Sequence, residues 1–306
     1  MESVIQVRNL VKKFDALTAV DGISFEVNRG EIFGILGPNG AGKTTTLEII
    51  EGLLAPTSGT TVVLGADTQR SPELVKERIG IQLQASAYFD FLTLKEILDL
   101  FGGFYPRHVD ADELLKRVNL VEKRDVTLNK LSGGQKQRFT IAASLVNDPE
   151  LVILDEPTTG LDPQARRHLW EFIQEIHRSG KTVVLTTHYM EEAEFLCQRV
   201  AIMDLGKIAA LETPLGLIKG LPNPYEIKLR TSSPLDPADL KTLEGVSSVT
   251  AGDTTIYSLR VSAPAEVLPR ILQMTSSRNI KVDHLEVVPS TLEDVFLALT
   301  GKQLRD

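Results

Sequence analysis

Gly37-Pro38-Asn39-Gly40-Ala41-Gly42-Lys43-Thr44 places glycine, lysine and threonine at the spacing G-x-x-x-x-G-K-[ST], whose chemistry is phosphate binding. The glycines let the loop turn successive backbone N–H groups toward phosphate oxygens. A helix starting just after the loop aims the positive end of its dipole, about half a charge, at the same point. In such a loop Lys43 reaches the β- and γ-phosphates of a nucleotide, and the Thr44 hydroxyl is a ligand for Mg2+. A glycine-rich turn with a surface lysine is the plain alternative, and the flanks weigh against it. Glu31 to Leu36 is a short apolar run of strand length, and Thr45 to Leu54 carries apolar residues at helical spacing.

A second constellation is Leu151-Val152-Ile153-Leu154-Asp155-Glu156, four apolar residues ending in two acids. Adjacent carboxylates at the end of a buried strand need a cation or a proton, because each desolvated charge costs several kcal/mol. Mg2+ supplies the cation: Asp155 holds it through water, and Glu156, one residue on, orients or deprotonates an attacking water. Two acids capping the next helix is the alternative. Leu131-Ser132-Gly133-Gly134-Gln135 opens a third motif, with Ser132 at an N-cap and two glycines leaving N–H groups open to an anion, on a helix running towards Val146.

Leu131 to Gln135, the phosphate loop and Asp155-Glu156 together resemble the ATP-binding cassette (ABC) ATPases, a likeness spanning residues 1 to about 220. The resemblance implies that Ser132, Gly133, Gly134 and Gln135 meet the γ-phosphate of a nucleotide held by a second copy, head to tail. It implies that Gln84 senses Mg2+ and the attacking water, with Gln82 on the same face as the competing choice. Phe14 resembles the aromatic that stacks on adenine, a contact of about 1–3 kcal/mol by analogy with base stacking; a core phenylalanine is the other option. Asp162, in Gly160-Leu161-Asp162, resembles the residue coupling the two sites of the dimer. His188 resembles the histidine that bonds the γ-phosphate and steadies Glu156. The remaining histidines form no metal-spaced pair, so no metal other than Mg2+ is expected. The guanine-reading Asn-Lys-x-Asp of small GTPases is missing, since Asn129-Lys130 leads into Leu131-Ser132, and ATP is the expected nucleotide.

One uninterrupted cassette is similar to the detached motor of a transporter whose membrane-spanning permease is a separate chain. Pro289 to Gly301 and Thr186 to Glu194 resemble bacterial multidrug and antibiotic-resistance exporter ATPases of the daunorubicin type. This implies export of a small molecule, a homodimer, and a cytoplasmic chain held at the inner face of the membrane by its permease. Tyr88, Phe89 and Phe91 lie where that family docks a permease helix, with core packing as the alternative. A soluble regulator of a cytosolic partner is the competing function.

The elements that must position these residues read as an α/β phosphate-loop cassette. Val4 to Asn9, Ile23 to Val27 and Gly59 to Gly65 are expected to form a small antiparallel sheet, with Phe14 between its first two strands. A mostly helical stretch is expected over Thr93 to Arg124, burying Leu94, Ile97, Leu98, Phe101, Leu114, Leu115, Val118 and Val121. Strands at Leu151 to Leu154, Thr182 to Thr187 and Val200 to Met203 alternate with helices, the pattern of a parallel sheet covered on both faces. The proline-rich joint Leu221-Pro222-Asn223-Pro224 marks a boundary, giving a cassette over 1–220 and an accessory domain over 221–306. The latter has the β-α-β-β-α-β order of a ferredoxin-like unit, with its second strand near Val246 to Val249.

Composition sets the outer limits. A chain of 306 residues with 42% hydrophobic content can build two cores. The net charge of -8 argues against a nucleic-acid partner. The lone Cys197 permits no internal disulfide and fits a small buried hydrophobe. Neither a secretory signal nor an apolar run of about 18 to 20 residues is evident.

Overall fold

The structure is a computed structural model and describes residues 2–82, 89 and 91–301, so Gln84 and Tyr88 lie outside the described residues. Two compact units form, the first reaching Pro214 and the second starting at Leu215.

The first unit opens with β1 (Ser3–Phe14), β2 (Leu17–Asn28), β3 (Ile32–Leu36) and α1 (Lys43–Ile50). Then come β4 (Ser58–Val63), β5 (Ala66–Asp67), α2 (Pro72–Lys76) and β6 (Ile79–Gln82). A helical part follows, α3 (Leu94–Gly102), α4 (Ala111–Arg117) and α5 (Gly133–Ala143). The unit closes with β7 (Leu151–Asp155), α6 (Pro163–Arg178), β8 (Thr182–Thr187), α7 (Met190–Leu196), β9 (Arg199–Asp204) and β10 (Lys207–Glu212).

One sheet has the order β2-β1-β4-β5 and is antiparallel. The other has the order β10-β9-β3-β8-β7-β6, parallel except for β10. Every residue of β3, β7 and β8 is buried, which is why their apolar residues fall in consecutive runs, such as Leu151 to Leu154 and Val183 to Leu185, rather than alternating. In β2, by contrast, Ile23, Phe25 and Val27 alternate into the core and the residues between them do not. Side chains from both sheets and from α1 share one core. At Gly80 of β6 a Cβ would stand 1.9 Å from the Ser144 carbonyl oxygen, so only glycine lets α5 end this close to the strand.

Two expectations need correcting. Phe14 ends β1, paired with Leu17 across a tight turn, because β1 runs five residues past Asn9. The stretch from Thr93 to Arg124 is mostly helical as expected, in two helices: Gly102-Gly103 and Pro106 break it, and Asp110 restarts it by accepting from the N–H groups of Asp112 and Glu113. Beyond α4, Val121 sits in a short 3-10 turn and is 43% exposed, outside the core assigned to it.

The boundary falls after the first residue of α8 (Pro214–Lys219), and the second unit continues with β11 (Tyr225–Thr231), α9 (Pro237–Lys241), β12 (Val246–Asp253), β13 (Ile256–Val261), α10 (Pro264–Ser277), β14 (Val282–Pro289) and α11 (Leu292–Thr300). Its antiparallel sheet has the order β12-β13-β11-β14, the ferredoxin-like arrangement expected from the element order. Ile227, Leu229, Tyr257 and Leu259 pack with Val267 and Ile271 of α10, and the buried Tyr257 hydroxyl accepts from the Leu235 N–H at 2.6 Å. Among the described residues no helix is long and apolar enough to cross a membrane.

Candidate functional site

The phosphate loop leaves the end of β3, between β8 and β9, and feeds α1 directly. Gly40 and Gly42 take positive φ of 80° and 99°, and a Cβ on Gly42 would meet the Ala19 carbonyl at 2.3 Å. The same holds at Gly37, where a Cβ would come within 2.3 Å of the Met203 carbonyl. Gly37 and Gly42 are thus fixed by backbone packed behind the loop, and Gly40 by its left-handed conformation.

Lys43 is 4% exposed, and its Nζ donates to the carbonyls of Gly37 at 2.8 Å and Pro38 at 3.2 Å. It also lies 3.1 Å from Glu156 Oε1. Thr159 donates to Glu156 Oε2 at 3.1 Å, and His188 Nδ1 stands 3.2 Å from that oxygen without hydrogen-bond alignment. Glu156 itself has a φ of 48°, uncommon for a residue with a side chain. Burial pushes its carboxyl up, but the charge and hydrogen bond of Lys43, the nearby His188 and the Thr159 hydroxyl outweigh that and hold it below the ordinary value.

Asp155 ends β7 with 3% exposure. Thr44 donates to its Oδ2 at 3.0 Å, and Thr186, opposite it on β8, donates to Oδ1. No ion pair reaches Asp155 among the described residues. Nearby, Glu51 follows the last residue of α1, is 1% exposed, and has one carboxylate oxygen without a hydrogen-bond partner. Burial, then the charges of Asp155 and Glu48, push its carboxyl up to about 8. Asp155, a buried acid that takes a hydrogen bond from the Thr44 hydroxyl and has no protein cation paired with it among the described residues, offers with Thr44 hard-oxygen donors that fit Mg2+.

The raised Glu51 value has a sign that can be checked. The folded chain binds this proton more tightly than the unfolded one, so the stability from it is full below the ordinary 4.5 and is lost as the pH climbs through about 8. Glu51→Gln is expected to flatten that decline, gaining about 2–4 kcal/mol at pH 8 and little at pH 5. Urea unfolding of the nucleotide-free chain in magnesium-free buffer at both pH values measures it. A gain of equal size at both would rule the explanation out.

A cleft of about 580 Å3 runs over the loop from Pro38 to Thr45, including Asn39, Ala41 and Thr45, and reaches Glu156 at one end and Phe14 at the other. Phe14 is 43% exposed, so it is not a core residue. The Lys12 ammonium, anchored to the Ala55 carbonyl at 2.8 Å, sits 4.8 Å over its ring. Thr18, Ala19, Leu205 and Gly206 complete this end and were not singled out in the sequence. Leu205-Gly206 is the two-residue turn between β9 and β10, with φ of 48° and 77°, and the apolar-Gly pair ahead of Lys207 was its available signal.

Ser132, Gly133, Gly134, Gln135 and Asp162 gather elsewhere, around a separate cleft of about 520 Å3 with no lining residue in common with the first. Ser132 caps α5 in a reciprocal box with Gln135, and Asp162 caps α6. Gln82 is buried at the end of β6, and Gln84 lies outside the described residues. The chain thus brings one set of predicted residues together at Lys43 and holds the other set apart from it.

Residues 20–159 match the family described as ABC transporter, and residues 222–300 match the one described as ATP-binding protein DrrA1-3-like, C-terminal domain. The linearmycin resistance ATP-binding protein LnrL of Bacillus subtilis is 38% identical over 314 residues, covering 99% of this chain and 100% of its own length. The chain belongs to the ABC transporter ATP-binding subunits. The Nod factor export ATP-binding protein I of Burkholderia lata is 37% identical, over 99% of this chain and 98% of that one. Among solved structures, an ATP-binding subunit of an ABC transporter superposes with a TM-score of 0.64 at 30% identity, covering 70% of this chain and 91% of the other. A dimeric ATP-binding cassette in a post-hydrolysis state, bound to ADP and Pi, gives 0.63 at 28% identity over 68% and 98%. As an ABC ATP-binding subunit the chain is an ATPase, the ATP-driven motor of an exporter.

Proposed function

We propose that this subunit holds ATP between two copies, Lys43 and its loop on one and Ser132 to Gln135 on the other, and so drives export of a small molecule through a separate permease. The observation that carries this is the separation of the two clefts: one is lined by the phosphate loop, the other by Ser132 to Gln135 and Asp162, and no residue lines both. Relatives named for linearmycin resistance and for Nod factor export support a small-molecule cargo. On this proposal residues 1–220 are the motor and 221–306 an accessory domain.

The roles follow from the contacts. A triphosphate offers Lys43 better acceptors than two carbonyls, and drawing the amine onto the β- and γ-oxygens releases Glu156 from its ion pair. The freed carboxylate accepts a proton from water as that water attacks the γ-phosphorus, the bond to the β–γ bridging oxygen breaks, and ADP and Pi leave. His188 and Gln84 steady the attack, Asp162 joins the two sites, and the base stacks on the Phe14 face that Lys12 leaves open. Thr44, Asp155 and Gln84 would hold Mg2+, which when bound neutralises the phosphate oxygens.

The permease is proposed to dock on an apolar groove of about 350 Å3 lined by Leu53, Ile79, Phe101, Phe104 and Tyr105. Phe104, 72% exposed, gives that groove an aromatic anchor, and Phe89 and Phe91, exposed by 49% and 77%, are further exposed aromatics for the permease to meet. Docking there holds the chain at the cytoplasmic face of the membrane.

The shared site sets the concentration dependence of the purified chain. Well below the dimer dissociation constant, doubling the protein is expected to raise the total ATPase rate about fourfold. A strictly proportional rate across the whole range would overturn the two-copy site.

A further inference from the structure

His188 is held by little of its own. Its side chain is 16% exposed, Nδ1 stands near Glu156 without alignment, and its ring has no hydrogen bond among the described residues. What touches the imidazole is the next side chain: the Tyr189 ring centroid lies 4.1 Å away at an interplanar angle of 45°. Tyr189 in turn has the Arg166 guanidinium 4.1 Å from its ring centroid. Arg166 forms no ion pair within 4 Å among the described residues, and its buried Nε has no hydrogen-bond partner; the buried Glu192 carboxylate feels its charge from farther off, and the Tyr189 ring is its direct contact.

Arg166 stands one turn into α6, whose first N–H groups are capped by Asp162. Tyr189 is the residue just before α7, with its N–H tied to the Thr187 hydroxyl at 2.9 Å. Further along, the two helices are fastened again. Trp170 of α6 donates to the fully buried Glu192 of α7 at 2.9 Å, and its ring stacks on Phe195 at 5.0 Å. The seam between α6 and α7 therefore begins at the Arg166–Tyr189 contact, next to Glu156.

We propose that Tyr189 is a positioning residue: gripped by Arg166, its ring sets the His188 imidazole against Glu156, so that the Asp162-capped helix and the histidine move as one piece. This rests on the roles proposed above for Glu156 and His188. A guanidinium is suited to it because it lies flat on a ring, which an ammonium does not. Arg166 does its work without touching His188.

The test follows diethyl pyrocarbonate modification of His188 in the full-length, nucleotide-free chain by mass spectrometry, with exposed His284 as internal reference, alongside ATPase kinetics. Arg166→Met and Tyr189→Leu are expected to raise the His188 modification rate severalfold and to lower kcat about 10- to 100-fold with little change in KM for ATP. Tyr189→Phe keeps the ring and is expected to match the parent in both. Arg166→Lys is expected to behave like Arg166→Met. A parent-like modification rate in Arg166→Met, or a parent-like Arg166→Lys beside a defective Arg166→Met, would overturn the proposal. The modification rates do not depend on hydrolysis. If Glu156→Gln hydrolysed ATP normally while Arg166→Met still loosened His188, the catalytic assignment would fail and the positioning contact would stand.

Discussion

Glu156→Gln is expected to lower ATP turnover at least about 1,000-fold while leaving ATP bound and two copies locked together. Glutamine keeps the shape of the side chain and can still accept from Thr159, but it takes no proton from water and carries no charge to hold Lys43. Each loss has its own consequence. Without a base the chemical step stops; without the ion pair Lys43 is free for phosphate from the start, and the repulsion between a carboxylate and the γ-phosphate is gone. Binding is therefore expected to tighten as turnover disappears. Single-turnover hydrolysis, equilibrium binding of ATP and light scattering with and without ATP read the three effects. Hydrolysis at the parent rate would remove Glu156 from its proposed role, and an ATP-loaded protein that stays monomeric would remove the second copy from the site.

Lys43→Met carries the other large effect, a loss of ATP affinity of about 100-fold or more. The parent ammonium is proposed to trade two carbonyl bonds and an ion pair for charged phosphate acceptors. Charge-assisted bonds contribute about 1.5–3 kcal/mol each, so losing two exceeds the 2.7 kcal/mol or so that corresponds to 100-fold. Methionine fills the same buried space, which keeps the effect chemical rather than a packing defect. It also leaves Glu156 at 7% exposure with no lysine beside it, so the double variant Lys43→Met with Glu156→Gln is expected to resist urea better than Lys43→Met alone. Calorimetric titration with ATP and the urea midpoints test both halves. Unchanged ATP affinity in Lys43→Met would exclude the loop as the phosphate site.

Much of this chemistry could be read from the chain because its parts are local. A phosphate loop, an apolar strand ending in two acids, and a serine-capped helix each fall within a few consecutive residues, where backbone geometry and residue type constrain each other directly. The second unit was legible for a related reason, since strand and helix periodicities alternate in it without interruption. What stayed hidden is what the fold brings together across the chain. Thr186 meets Asp155 only because β7 and β8 run parallel in one register. Leu205-Gly206 reaches the base end of the cleft only because the β9–β10 turn lies beside the loop. Lys12 shields Phe14 through a carbonyl forty-three residues away. Within the helical stretch after Thr93 only Val121 was misplaced, for the opposite reason: it continues the apolar spacing of α4, which ends at Arg117, and sits exposed in the 3-10 turn beyond.

The Lys43–Glu156 contact also bears on what the resting protein ignores. In a cell crowded with orthophosphate, sulfate and carboxylic metabolites, a bare buried ammonium would act as an indiscriminate trap for small anions. Here the trap already carries a tethered tenant of its own, and a lone anion must compete with a carboxylate that never diffuses away. On the proposed site, only a molecule that secures itself elsewhere, along the loop amides and against the Phe14 face, is expected to have enough hold to evict it, so that the motor would stay silent until its fuel arrives whole.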